Sequence, residues 1–240
     1  MFVISATAQQ EKGIGVIFKT GMGEMRKIDN SETYPIQNRI ETKMAPTWGL
    51  GIFRKKQLND RFSIETQVLY NQINGVSEES FSYNVTHTAD DQSFLVPYSV
   101  EAITERKAHY LTLNNIFKLH PEKPYSFGLG ITINYLISNS VYTRAYENRA
   151  PSFFLGSGND LEKLDLGLSP QFEFQIGQKL TLIAQAYFGI LEQEPQNYKS
   201  NYSLITGFDP GQKFTFRNRQ FTLGLNYIIF KGKSDKPSLE

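Results

Sequence analysis

Residues 125–137 read YSFGLGITINYLI, and their side chains alternate between two kinds. Large apolar side chains occupy every second position: Phe127, Leu129, Ile131, Ile133, Tyr135 and Ile137. The positions between them are mostly small or polar: Ser126, Gly128, Gly130, Thr132, Asn134 and Leu136. A period of two residues is typical of a β-strand whose two faces meet different surroundings. The stretch therefore predicts a strand, and helical periodicity is nearly absent from the rest of the chain.

The same alternation recurs along the chain. It is clear in residues 164–176 and 221–229. Weaker examples are the segments 13–20, 45–54, 61–72, 108–119 and 180–190. With residues 125–137 these segments make eight strands. An even number of strands is typical of bacterial outer-membrane barrels.

The connections between these segments alternate strictly between long and short. The long ones are 21–44, 73–107, 138–161 and 191–213. The short ones are 55–60, 120–124 and 177–179. Outer-membrane barrels place their long loops at the cell exterior and their short turns at the periplasm, whereas a soluble sandwich has no physical reason to gather its long loops at one end. The sequence therefore predicts an all-β fold, an eight-stranded antiparallel up-and-down transmembrane β-barrel.

The face opposite the large apolar residues carries unusually small side chains. Its glycines are Gly13, Gly15, Gly49, Gly51, Gly128, Gly130, Gly167, Gly189 and Gly224. Glycines and amides suit the crowded interior of an eight-stranded barrel, which has space for side chains alone, and the apolar face suits lipid. A soluble ligand-binding barrel would need a continuous apolar lumen instead. It stays open as an alternative and predicts a mature chain that remains in solution without detergent.

Aromatic side chains lie near both ends of the apolar face. Phe62 and Tyr70 share one predicted strand, and Phe127 and Tyr135 share another. Rings at both lipid–water interfaces form the girdles of a transmembrane barrel. This spacing therefore favours the membrane barrel over the soluble one.

Two residues depart from the strand pattern. Asn115 falls on the lipid-facing side, which indicates a contact with another protein. Pro170 lies within a predicted strand and cannot donate a backbone hydrogen bond to its neighbour. We expect a β-bulge near Pro170.

Composition excludes several classes of protein. The 240 residues carry a formal net charge of +1, so no basic excess exists to neutralise the phosphates of a nucleic acid. The absence of cysteine removes disulfides, thiolate metal sites and cysteine nucleophiles. No apolar run approaches the roughly 20 residues of a membrane-spanning helix. An apolar content of 40% is too high for a disordered chain.

The first residues carry the pattern of a truncated export signal. The letters FVI at 2–4 resemble the end of an apolar segment, and ATA at 6–8 fits the small-x-small cleavage pattern. We expect residues 1–8 to be a residual export signal, 9–231 the outer-membrane barrel domain and 232–240 a periplasmic tail. An ordinary frayed terminus is the alternative.

Alternation also assigns polar residues to the barrel interior. The expected polar network of the lumen consists of Lys19, Glu65, Gln67, Lys118, Asn134, Asp165, Gln171, Glu173, Gln185 and Asn226. Two cations and three carboxylates in so narrow a space should pair and bond to the amides, because an isolated buried charge costs several kcal/mol. Such a network would leave no continuous aqueous path. The alternative is a selective pore or a proton path through the carboxylates.

The sequence carries no recognisable catalytic motif, because no G-x-S-x-G nucleophile elbow is present. The chain has three histidines, which lack metal-ligand spacing: His87, His109 and His120. We expect no enzyme activity, no cofactor and no metal. A rim enzyme remains the alternative, in which His109 works with acidic residues of the neighbouring loop. Those residues are Asp90, Asp91 and Glu105.

Four stretches resemble the small outer-membrane β-barrel family of Gram-negative, Bacteroidota-like bacteria known as the PorT-type barrel. They are residues 47–72, 110–138, 164–190 and 218–230. The family's D-x-G strand is matched by Asp165-Leu166-Gly167, and its closing aromatic-x-Leu-Gly-x-x-Tyr strand by FTLGLNY at 221–227. The tail after the last strand departs from the many outer-membrane barrels that end on a final aromatic residue. These motifs are strand patterns rather than catalytic signatures.

The resemblance implies a location in the outer membrane of a Gram-negative bacterium. Eight strands return the chain to its starting side, so both termini are expected in the periplasm and the loops 73–107 and 138–161 outside the cell. We expect a non-catalytic barrel with a structural or a partner- or ligand-binding role. Its expected partners are outer-membrane lipid, lipopolysaccharide and other envelope proteins, and no nucleic acid. The alternative is an accessory subunit of a larger machine for protein secretion, nutrient uptake or barrel assembly, since the family's name-giving member belongs to a secretion system.

Overall fold

The computed structural model describes residues 12–29, 39–89, 92–122, 124–147, 150–155, 161–193 and 214–232. The strands are β1 (Lys12–Asp29), β2 (Arg39–Gln57), β3 (Phe62–Ala89), β4 (Gln92–Leu119), β5 (Tyr125–Glu147), β6 (Ala150–Leu155), β7 (Leu164–Gln175), β8 (Leu180–Gly189) and β9 (Phe214–Lys231). The expected export-signal remnant and nearly all of the expected tail lie outside the described residues. Within those residues, no helix has the length and apolar character to cross a bilayer.

Eight of these strands close into a ring. Each pairs antiparallel with the next in the order β1, β2, β3, β4, β5, β7, β8, β9, and β9 pairs with β1. The short strand β6 pairs with the outer part of β5, between Thr143 and Glu147. The eight-stranded antiparallel up-and-down barrel predicted from the sequence is confirmed.

The two ends of the barrel differ. At the first, here called the turn end, tight connections at 58–61, 120–124 and 176–179 join consecutive strands. The first and last strands also meet there, because Gly13 lies opposite Lys231. The opposite end, here called the loop end, is where the strands extend to different lengths.

The predicted long loops are largely wrong, because strand pairing continues through most of them. The segment 73–107 belongs almost entirely to β3 and β4, which pair from Phe62 opposite Leu119 to Ala89 opposite Gln92. Likewise β1 continues to Asp29 and β5 to Glu147. Beyond the lipid-facing band the outward residues turn polar, so the hydrophobic alternation fades while the backbone ladder continues.

The bulge expected at Pro170 is also wrong. Leu129 lies opposite Pro170 in an uninterrupted register between β5 and β7. The pairs Leu168–Phe188 and Gln171–Gln185 share one register between β7 and β8, so the proline interrupts the ladder without shifting it. This fits a proline, which lacks the N–H for one bond but takes the extended backbone of a strand. Bulges occur at three other places, one each in β1, β2 and β4.

The barrel has an apolar outside and a polar inside. Side chains such as Ile52, Leu129 and Ile131 are each 58% exposed on the outer face. Most of the buried residues between them are polar or charged, which contradicts the alternative of a soluble barrel with an apolar lumen. This distribution is that of a transmembrane barrel.

Aromatic side chains gather at both edges of the apolar band. Near the turn end, the ring centroids of Phe62 and Phe117 are 5.3 Å apart. Near the loop end, Tyr70 lies between Trp48, at 5.6 Å, and His109, at 5.7 Å. The two groups mark the two lipid–water interfaces.

Candidate functional site

The barrel interior holds all ten residues that alternation assigned to the lumen. They are Lys19, Glu65, Gln67, Lys118, Asn134, Asp165, Gln171, Glu173, Gln185 and Asn226, and each is at least nine-tenths buried. They come from seven of the eight ring strands, so one polar core links the barrel wall all round. The core divides into a charged cluster, a lysine held by amides and a lone carboxylate.

The charged cluster lies towards the turn end. The Nζ atom of Lys118 is 2.5 Å from Oε2 of Glu65 and 2.5 Å from Oε1 of Glu173. Gln67 donates to Glu65 at 2.7 Å, and Gln171 donates to Glu173 at 2.7 Å. A fully buried cation thus bridges two carboxylates whose remaining oxygen capacity is filled by amides, as buried charges require.

Lys19 differs from the expectation that each cation would pair with a carboxylate. Its Nζ donates to Oε1 of Gln185 at 2.5 Å and to Oε1 of Gln67 at 3.2 Å. Gln67 donates in turn to Glu65. The lysine is therefore linked to the charged cluster through an amide rather than directly.

Asp165 is the lone carboxylate of the core. Its Oδ2 accepts hydrogen bonds from Asn218 at 2.8 Å and from Asn134 at 3.3 Å. Its Oδ1 has no hydrogen-bond partner in the described part of the chain. A cavity of about 10 Å³ adjoins Asn134 and Tyr187, and that volume is enough for about one water molecule.

An apolar layer closes the lumen at the loop end. Its buried members are Met25, Ile73, Ala108, Tyr110, Leu136, Leu161 and Phe216. Leu161 precedes β7 and lies inside the wall. Gln193 is fully buried beside it, with its backbone N–H and C=O bonded to Phe216 at 2.9 and 3.0 Å. Here the chain folds inward over the lumen.

Buried charges lie beyond this apolar layer. Lys27 and Glu79 form an ion pair at 3.0 Å, with both side chains 2% exposed. The guanidinium of Arg106 lies 4.6 Å over the ring of Phe216. Sequence analysis missed these three charged residues because they fall in segments predicted as loops. Continuing the two-residue period of the flanking strands into those segments would have found them.

The rim-enzyme alternative gains no support from the described residues. His109 contacts Tyr70, whose hydroxyl is 2.7 Å from its Nδ1, while Glu105 pairs with Arg144 on the outer face. Asp90 and Asp91 lie outside the described residues. No group of three potential metal ligands occurs in the described part of the chain.

A serine–histidine contact occurs at the turn end, and the sequence gave no signal for it. The Oγ of Ser63 is 2.7 Å from Nε2 of His120. Ser63 is completely buried, so a substrate would reach it only through an opened barrel. The contact ties the start of β3 to the turn after β4.

No family model matches the sequence, and no curated protein matches it. Several solved structures are similar in fold. The attachment invasion locus protein Ail of Yersinia pestis, in complex with the heparin analogue sucrose octasulfate, is 8% identical, with 92% of this chain and 99% of that chain covered at a TM-score of 0.37. The outer membrane protein OprG of Pseudomonas aeruginosa is 9% identical, with the same coverage and a TM-score of 0.43. The outer membrane protease OmpT of Escherichia coli is 11% identical, with 95% and 99% covered and a TM-score of 0.42. The description of the barrel above rests on its own strand pairing.

Proposed function

We propose that the protein is a non-catalytic outer-membrane barrel that binds a partner at the cell surface through a raised sheet. The raised sheet consists of residues 73–89, 92–108, 138–147 and 150–155. The carrying observation is the length of β3, which continues from Tyr70 in the loop-end aromatic group to Ala89. At about 3.4 Å per residue this is roughly 60 Å of strand beyond what the bilayer needs.

The surface of the raised sheet suits recognition. Leu95 is 65% exposed near its tip, and Tyr142 is 41% exposed on its outer face. Mixed apolar, aromatic and charged groups are typical of protein–protein contact surfaces. The sheet also ends at β6, whose outer edge is unpaired among the described strands. An exposed strand edge can accept an extended peptide as a further strand.

The interior supports a structural role rather than transport. The charged cluster, the amides and the apolar layer together fill the lumen between the turn end and the loop end. An eight-stranded barrel has space for side chains alone. The proposal therefore assigns recognition to the raised sheet and stability to the lumen.

The proposed setting is the outer membrane of a Gram-negative bacterium. The apolar outer band and its two aromatic edges support membrane insertion, with lipid and lipopolysaccharide as neighbours. The turn end would face the periplasm together with both chain termini, and residues 1–8 would be the remnant of an export signal. The kinship with PorT-type barrels remains part of this proposal.

A native pull-down with a shortened hairpin tests the proposal. Ser82 lies opposite Ser99, so residues 83–98 can be replaced by Asn-Gly without changing the register. This leaves the pairing of β4 with β5 intact, since that pairing begins at Val100. The control replaces Asp90 and Asp91 with Asn-Gly and keeps the hairpin. A partner captured from mild detergent by the wild type and the control, but lost from the shortened chain, is expected. Equal capture by all three would overturn the proposal.

A second candidate is an accessory subunit of a larger outer-membrane machine. It is favoured by a polar pair on the lipid-facing side, where Thr66 donates to Oδ1 of Asn115 at 2.8 Å. Thr66 lies midway between Phe62 and Tyr70 along β3, so the pair is placed near the middle of the apolar band. A polar group there suits contact with another membrane protein. Loss of co-purifying envelope proteins from an Asn115→Leu variant would support this candidate.

A further inference from the structure

The outer surface of the turn end carries cations without partners. Arg54 and Lys56 point outward near the end of β2, and Lys179 and Lys231 are exposed on the same side of the rim. None of the four makes a hydrogen bond or an ion pair with any described residue. The lipid-facing edge of β9, β1 and β2 therefore has an unbalanced positive charge.

The cations at the loop end are arranged differently. Lys43 pairs with Glu78 at 2.6 Å, and Arg219 lies 3.5 Å from Glu24. Arg217 pairs with Glu192 in the same region. Carboxylates of the chain thus neutralise many of the outward cations at that end. The turn-end cations need their counter-charge from elsewhere.

The position of Arg54 suits a lipid headgroup. Register places it beside Ile14 of β1, and Ile14 lies beside Phe230 of β9. Ile14 is 47% exposed, Phe230 is 67% exposed and Ile52, just above Arg54, is 58% exposed. The guanidinium therefore stands at the margin of an apolar surface formed by three adjacent strands.

The spacing of the two outward cations also fits one headgroup. Arg54 and Lys56 lie on the same face of β2, about 7 Å apart along the strand. A phosphate between them would accept charge-assisted hydrogen bonds from both side chains. Lys179 and Lys231 would add attraction at longer range. Lys55 faces the other way, towards Glu173 in the lumen.

We propose that this strip, defined as Arg54, Lys56, Lys179 and Lys231, binds an anionic phospholipid of the leaflet at the turn end. The phosphodiester lies between Arg54 and Lys56, and the acyl chains lie against Ile14, Ile52 and Phe230. The inference rests on the proposed membrane setting and is independent of partner binding by the raised sheet.

Spin-labelled lipids test this directly. The protein is reconstituted in phosphatidylcholine vesicles with a trace of spin-labelled phosphatidylglycerol or spin-labelled phosphatidylcholine, and the motionally restricted fraction gives the relative association constant. The wild type should prefer phosphatidylglycerol by about fivefold or more at low salt, and less at high salt. The variant Arg54→Gln/Lys56→Gln should lose most of this preference.

The matched control is Arg26→Gln/Lys107→Gln, which removes two exposed outward cations at the loop end. It should keep the preference. No preference in the wild type, or equal loss in both variants, would overturn the proposal.

Two further measurements keep the outcome clear. A preference of the wild type that high salt leaves unchanged would also contradict it, whether or not the variants fold. Inorganic phosphate that abolishes the preference, at an ionic strength where chloride does not, would show a site for free phosphate instead. Unchanged partner capture by the Arg54→Gln/Lys56→Gln chain separates this result from the proposed function.

Discussion

At the residue scale, the barrel interior depends on the match between one cation and two carboxylates. Lys118 is completely buried and contacts both Glu65 and Glu173. Removing one partner of a buried ion pair is far more costly than removing the whole set, because an uncompensated charge remains.

Lys118→Met tests this dependence. It leaves two carboxylates facing each other in the lumen, so we expect the free energy of unfolding to fall by about 3–5 kcal/mol. Urea titration in lipid vesicles measures it. Lys118→Met/Glu65→Gln/Glu173→Gln should recover much of the loss, and the control Lys107→Met, at an exposed outer position, should change little. A single variant as stable as the wild type would refute the cluster's role.

The polar pair on the lipid side has the opposite expectation. Thr66→Val/Asn115→Leu replaces hydrogen-bonding groups in the apolar band with apolar ones. The isolated barrel should become more stable in vesicles by about 1–2 kcal/mol, since polar groups are costly in lipid. A loss of stability on urea unfolding would show that the pair is needed within the barrel itself.

At the element scale, sequence alternation predicts the strands inside the lipid band well and their outer continuations poorly. Each band strand must show lipid one face and the packed lumen the other, so residues 125–137 carry an unmistakable period. In the raised sheet both faces carry polar groups, and the β3–β4 pairing around Tyr83 and Tyr98 leaves no such period. Contacts between distant strands, such as Lys19 with Gln185, need barrel geometry that no local pattern contains.

Close strand contact at one interior glycine gives a prediction for β4 and β5. A Cβ on Gly128 would lie 2.6 Å from Cγ2 of Ile116 and 3.3 Å from Cγ of Lys118. Gly128→Ala should destabilise the barrel by about 1–3 kcal/mol through overpacking. Ile116→Ala in the same chain removes the obstructing atom and should make the second substitution less harmful. Simple additivity in this double-mutant cycle would contradict the contact.

At the scale of the whole molecule, the account describes a closed barrel with a recognition sheet on one end. The proposed topology predicts that an epitope inserted between Asp90 and Asp91 is labelled by antibody on intact cells. The same epitope inserted between Asn59 and Asp60 should be labelled only after the outer membrane is opened. The reverse pattern would invert the topology.

The closed lumen is the central claim, and conductance across a planar bilayer tests it most directly. The charged cluster around Lys118 and the apolar layer around Tyr110 block the path at two levels. The reconstituted wild-type protein should therefore show no steady single-channel conductance. A stable conductance that Glu65→Gln or Glu173→Gln abolishes would contradict the account and show a path through the carboxylates.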